Sequence, residues 1–199
     1  MEKKAASEFI GTFCLVFAGT GAIVINDLTG GMASHLGIAM TFGLIVLAMI
    51  YALGDISGAH LNPAVTFGFF AAGRLDLRMV LPYMLSQIAG AAAASGVLKI
   101  LFPQHPTLGS TLPAGSDLQS LVLELILTAI LMFVILCVSS GAKEKGIAAG
   151  IAIGSVVGLE ALIAGLISGA STVRCVGNSR GNRMLVRKCR RTRTAFFDC

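Results

Sequence analysis

The sequence predicts an all-α membrane protein, an inverted-repeat helical bundle that contains a re-entrant half-helix. Three observations predict it. The 199 residues are 55% hydrophobic and 13% charged, with mean hydropathy +0.85, whereas a soluble domain carries about 25% charged residues. Five apolar runs come near the length of about 20 residues that a helix needs to cross a bilayer core. The tetrapeptide Ile-Ser-Gly-Ala occurs twice, at 56–59 and at 167–170, each time at the end of such a run. At this length a single bundle is the natural reading.

The five runs cover about 5–25, 36–54, 79–101, 118–138 and 147–167. A signal peptide competes for the first run, because Lys3 and Lys4 precede it; its length and the spans that follow favour a membrane helix. The loops set the orientation. Lys3 and Lys4 precede the first span, Arg74 and Arg78 follow the second, and Lys143 and Lys145 follow the fourth, while 26–35 and 102–117 hold no Lys or Arg. The N-terminus is therefore expected on the cytoplasmic side.

The formal charge of +5 hides an asymmetry. Residues 1–171 hold seven Lys/Arg against nine Asp/Glu, and residues 172–199 hold eight against one. Five spans would leave this basic tail on the outer face, against the positive-inside rule, so the tail is expected to be aberrant. Anionic lipid or nucleic acid would be partners of such a tail. A solvated, disordered end is the plainer reading and the one the composition favours, and nucleic acid is not expected. The cysteines Cys14, Cys137, Cys175, Cys189 and Cys199 have neither zinc-site nor disulfide-framework spacing.

Between the second and third runs lies a shorter apolar piece, 62–72, that begins Asn62-Pro63. Asn caps a helix and Pro suits its first position. A half-length helix here reads as a re-entrant segment, which survives at membrane depth only when buried in protein or lining a water-filled cavity. Gly150, Gly154 and Gly158 share one face of the fifth run, and the third carries Gly90 to Gly96 with small residues between. Such faces serve close helix contact.

The repeat extends beyond Ile-Ser-Gly-Ala. Glu8 with Thr12 in the first span is matched by Glu124 with Thr128 in the fourth. Ser57 follows Glu8 by 49 residues, and Ser168 follows Glu124 by 44. Three spans and a re-entrant loop turn the second half upside down relative to the first, an architecture that places solute sites near the midplane. The stretches SGAHLNPAV and SEFIGTF, with the glutamate of the fourth span, resemble the aquaporin, or major intrinsic protein, family over about residues 5–171.

That resemblance implies six spans, two Asn-Pro-Ala half-helices meeting at the pore centre, and a homotetramer in the cell's plasma membrane. It implies passive passage of water and of small neutral solutes such as glycerol, ammonia or peroxide, with no cofactor and no covalent step. The sequence departs from the pattern in its last quarter. Val173, Arg174 and Cys175 stand where the second Asn-Pro-Ala belongs, Val176 stands where the family's filter arginine belongs, and no sixth apolar run follows. The expectation is a missing or frame-shifted second half-helix and sixth span at 172–199, with conduction lost if so.

Asn62, Pro63 and Ala64 are the candidate pore motif. The amide of Asn62 offers N–H donors to a passing oxygen, and a half-helix adds about half a positive charge at its tip. Together they oppose cations and protons. A simple helix cap is the plain alternative. Gly58, Ala59 and His60 form the extended stretch whose carbonyls, by the resemblance, line the pore. His60 is read as pore-lining or loop-bracing rather than as a metal ligand. Glu8 and Glu124 are acids within apolar runs, a costly placement; the resemblance makes each a strut for its re-entrant loop. An intramembrane enzyme would use them as general acids, but no nucleophile with a paired base is visible. Glu160 is a minor loop-bracing candidate. Phe42, Ala161 and Ala170 fall at the filter positions that the resemblance implies, and alanine at 161 implies a wide, weakly polar opening. Asp55 is read as solvated, and His35 and His105 as loop residues without a role.

Overall fold

The computed structural model describes residues 1–110, 116–139 and 143–165, with the backbone course alone for 143–147. The second Ile-Ser-Gly-Ala, Ala170 and the tail 172–199 lie outside these residues.

Among the described residues six helices follow one another: α1 Glu2–Leu28, α2 Ser34–Ser57, α3 Pro63–Ala71, α4 Leu77–Leu101, α5 Asp117–Val138 and α6 Lys143–Ala164. Among the described residues α1, α2, α4 and α5 are each long and apolar enough to cross a membrane, and 148–164 of α6 is a further apolar stretch. Large apolar side chains such as Leu44, Leu85 and Phe133 point outward, as they do where lipid rather than water is the solvent.

α3 differs in kind. Its 9 residues span about 14 Å at 1.5 Å per residue, less than half of a bilayer core of about 30 Å. It starts where the chain leaves α2. Gly58 adopts φ +87° and closes α2 by donating its N–H to Gly54 O, the left-handed cap that glycine provides without strain. The chain then passes through Ala59, His60 and Leu61 to Asn62, whose extended backbone leads into α3.

α1 lies against α4 and α2, α2 against α6, α5 against α6, and α3 against α4 and α5. Two of these contacts are backbone against backbone. A Cβ on Gly43 would sit 2.6 Å from Gly154 O, and one on Gly90 would sit 2.4 Å from Phe9 O. Without a hydrophobic force between helices in lipid, such close approach supplies the association. α3 closes the interior through Val65 and Phe69, which pack with Leu131 and Ile135 of α5 and Ile153 and Val157 of α6.

Two histidines correct the reading from sequence. His35 sits in the first turn of α2, and its Nε2 lies 2.7 Å from Leu162 O near the end of α6. Last-turn carbonyls lack an intrahelical donor, so an imidazole N–H is a natural partner. His105 is buried beyond α4; Leu108 N–H donates to its Nδ1 at 2.9 Å, and its Nε2 lies 3.4 Å from Asp27 Oδ2. His35 ties the start of α2 to the end of α6, and His105 ties the loop after α4 to the end of α1.

Candidate functional site: a clamped loop at the tip of a half-helix

The site is built outward from Glu8. This carboxyl is fully buried, on the seventh residue of α1. Oε1 accepts from Ser57 Oγ at 2.6 Å and from His60 N–H at 3.0 Å. Oε2 accepts from Leu61 N–H and from Gln87 Nε2, both at 2.8 Å. Four donors surround one acid, which offsets the cost of placing it in an apolar span. Each oxygen accepts two hydrogen bonds, and three of the four donors belong to the loop at 57–61.

Further bonds hold the same loop. Thr12 Oγ1 donates to Leu61 O at 3.2 Å, and Tyr83 Oη donates to Ser57 O at 2.8 Å. The clamp holds a strained backbone: Ala59 and Leu61 adopt φ +47° and +55°, a left-handed conformation that costs a non-glycine residue about 1–3 kcal/mol. With these groups engaged, the carbonyls of Gly58, Ala59 and His60 accept no hydrogen bond from any described residue.

Asn62 caps α3. Its Oδ1 accepts from Ala64 N–H at 2.9 Å, while Pro63 occupies the first helical position. The cap consumes the amide oxygen. The amide nitrogen donates to no described residue, and Asn62 lines a cavity of about 460 Å³. Gly58, Ala59, His60 and Leu61 line the same cavity. It reaches Ser139 at one end of the bundle and Thr107–Ser110 at the other. The cap reading and the cavity reading of Asn62 are thus compatible, because each uses a different atom.

The remaining candidates divide. Phe42 lines the cavity, its ring held against Gly19. Ala161 is half-buried and does not line it. α6 presents Ala149, Ile153 and Val157 to the cavity, whereas Gly150 and Gly154 face α2 and Ala161 continues that second face. Ala170 lies outside the described residues. Glu124 is half-buried and makes no hydrogen bond to a described residue, and Glu160 is buried with Oε1 unpartnered among them. His60 braces the loop as well as lining the cavity: Nδ1 lies 3.2 Å from Thr66 Oγ1, and the ring stacks on Phe69 at 4.4 Å.

Sequence reasoning missed Gln87, Tyr83 and Thr66. Gln87 Nε2 joins Glu8 to Thr66 Oγ1, 2.9 Å away. The available signal was a fully amidated side chain inside the apolar run 79–101.

Comparison with known proteins identifies the family. The family described as major intrinsic protein matches residues 1–177. Aquaporin NIP1-3 of Oryza sativa subsp. japonica is 48% identical over 147 residues, covering 72% of this chain and 51% of the relative. Nodulin-26 of Glycine max is 41% identical over 145 residues, covering 72% of this chain and 54% of the relative. The chain therefore spans about half the length of the curated relatives it matches. The X-ray structure of the aquaglyceroporin from Plasmodium falciparum superposes with a TM-score of 0.70 at 30% identity, covering 85% of this chain and 73% of that one. With its apolar helices and its re-entrant half-helix, this integral membrane protein belongs to the major intrinsic protein family.

Proposed function

We propose that the chain forms a passive transmembrane channel for water and small neutral solutes. The observation that carries the reading is Asn62, whose amide nitrogen is left over by the helix cap at the tip of α3, on the wall of the cavity. A permeating oxygen accepts from that donor, and its own hydrogens turn toward the carbonyls of Gly58, Ala59 and His60. The positive end of α3 opposes cations at the same point. Passage makes and breaks no covalent bond, so no catalytic residue is assigned. Phe42 is read as the aromatic of the outer constriction, with Ala170 as its small neighbour, and glycerol, ammonia or peroxide as candidate permeants beside water. We place the N-terminus on the cytoplasmic side of the plasma membrane and infer a homotetramer with one pore per subunit. Glu124 is read as the second strut, and the altered motif at 173–175 as a lesion in the matching loop.

Stopped-flow light scattering on proteoliposomes tests the proposal. Osmotic shrinkage faster than in empty vesicles, and slowed by Asn62→Asp, is the expected result. Rates equal to those of empty vesicles overturn it.

A further inference from the structure

Three hydrogen-bonding groups converge on Thr66. Its Oγ1 lies 2.9 Å from Gln87 Nε2, 3.1 Å from Asn62 O and 3.2 Å from His60 Nδ1. A hydroxyl has one proton and two lone pairs, so the protons of this cluster can be traced outward from Glu8. Ala59 N–H donates to Ser57 Oγ at 3.1 Å, and the Ser57 proton goes to Glu8. His60 and Leu61 donate their N–H groups to the same carboxylate. Both of its oxygens are acceptors, so Gln87 turns its NH₂ toward Glu8, and the same nitrogen donates to Thr66. Gln87 Oε1 is left buried without a partner among the described residues. Turning the amide over would set that oxygen against the Glu8 carboxylate and lose two bonds.

Thr66 Oγ1 then has one proton and one lone pair for two neighbours. Asn62 O only accepts. If the proton goes to Asn62, the lone pair takes the proton of His60 Nδ1, and all three contacts are hydrogen bonds. If it goes to His60 Nδ1 instead, the 3.1 Å approach to Asn62 O sets two oxygens against each other and one bond is forfeited. We propose that Thr66, its proton committed to Asn62 O, is a positioning residue that holds neutral His60 in the Nδ1–H tautomer, so that Nε2 meets molecules in the cavity as a hydrogen-bond acceptor. Phe69 stacked on the ring and the Tyr83 edge at 5.1 Å keep it from turning over. Nε2 lies toward Gly58, where a Cβ would sit 3.3 Å from it, and Gly58 and His60 share the cavity wall. The wall then carries a donor at Asn62 and an acceptor at His60, matched to a hydroxyl or amine and mismatched to an anion. This last step rests on the channel reading; the tautomer does not.

The chain contains three histidines, and the other two serve as internal references. His35 Nε2 faces a carbonyl at 2.7 Å and so carries its proton there. His105 Nδ1 accepts from Leu108 N–H, which puts its proton on Nε2 as well. Nitrogen NMR of protein with ¹⁵N-labelled histidine, in lipid nanodiscs about two pH units above the ordinary histidine range, distinguishes the tautomers. One ring is expected with a protonated-type Nδ1 and an imine-type Nε2, and its signals disappear in His60→Asn. Thr66→Ser keeps the pattern; Thr66→Val moves it to the Nε2–H pattern while the His35 and His105 signals stay in place. An Nε2–H pattern for His60 in the unsubstituted protein overturns the proposal, whatever the variants do. So does an Nδ1–H pattern that survives Thr66→Val. The expected spectrum from protein that passes no water leaves the tautomer standing and removes the channel reading.

Discussion

Replacing Glu8 by Gln exchanges one carboxylate oxygen for an NH₂ group with no change of volume, and the cost can be followed atom by atom. Placed at the Oε2 position, the NH₂ group faces Leu61 N–H and the Gln87 amide, and two donors lose their acceptor. Placed at the Oε1 position, it faces Ser57 Oγ and His60 N–H. The Ser57 hydroxyl can turn to accept, so only the His60 amide is orphaned. The second arrangement is the cheaper. An orphaned buried donor costs about 1–3 kcal/mol, and each bond that passes from charged to neutral loses about 1 kcal/mol. With three such bonds the total is about 4–6 kcal/mol, a large share of a net stability of about 5–15 kcal/mol. Circular dichroism melting in detergent should show Glu8→Gln unfolding well below the unsubstituted chain. Hydrogen exchange should show faster exchange at the amides of His60 and Leu61, with the amides at the centre of α5 changed much less. An unchanged melting temperature together with unchanged protection at those two amides would refute the clamp.

Asn62→Asp keeps the capping oxygen and removes the side-chain donor, so melting should be nearly unchanged while osmotic permeability falls; Asn62→Ala should lose both, with about 0.5–2 kcal/mol of stability gone with the cap. Tyr83→Phe frees Ser57 O from its donor and should cost about 1 kcal/mol in a melting experiment. Gly90→Val places a side chain against the backbone of Phe9, and the overpacking should cost about 1–3 kcal/mol or more, read as loss of folded protein on size exclusion. His35→Ala should lower the melting temperature slightly through release of Leu162 O, without altering the exchange of the His60 and Leu61 amides.

The sequence announced those parts of the fold whose cause is local. An apolar run of about 20 residues produces a helix long enough to cross a membrane, as in α1, α2, α4 and α5, and Asn62-Pro63 produces a helix start because both preferences act on the same turn. Glu8 was legible because an acid in an apolar run requires a partner. The identity of its partners was less so. Gln87 meets Glu8 across 79 residues and Tyr83 meets Ser57 across 26, and neither pairing leaves a periodic trace. His35 and His105 looked idle for the same reason, since their partners sit at the far ends of other helices. Ala161 shows a different gap: an alignment fixes a position along α6, but the face it presents depends on how the glycines of that helix seat against α2.

The clamp around Glu8 also has a consequence for biosynthesis. Its acceptor atoms emerge early, but Gln87 is made 79 residues later, a delay of about 4–16 s at translation rates of 5–20 residues per second. Until the loop donors at Ser57, His60 and Leu61 emerge, 49 to 53 residues after it, the first helix carries a bare carboxyl group into the translocon or the lipid, and the set of four is complete only with Gln87. Its settled insertion therefore waits for the fourth helix to arrive, which makes the earliest segment of the chain one of the last to become secure.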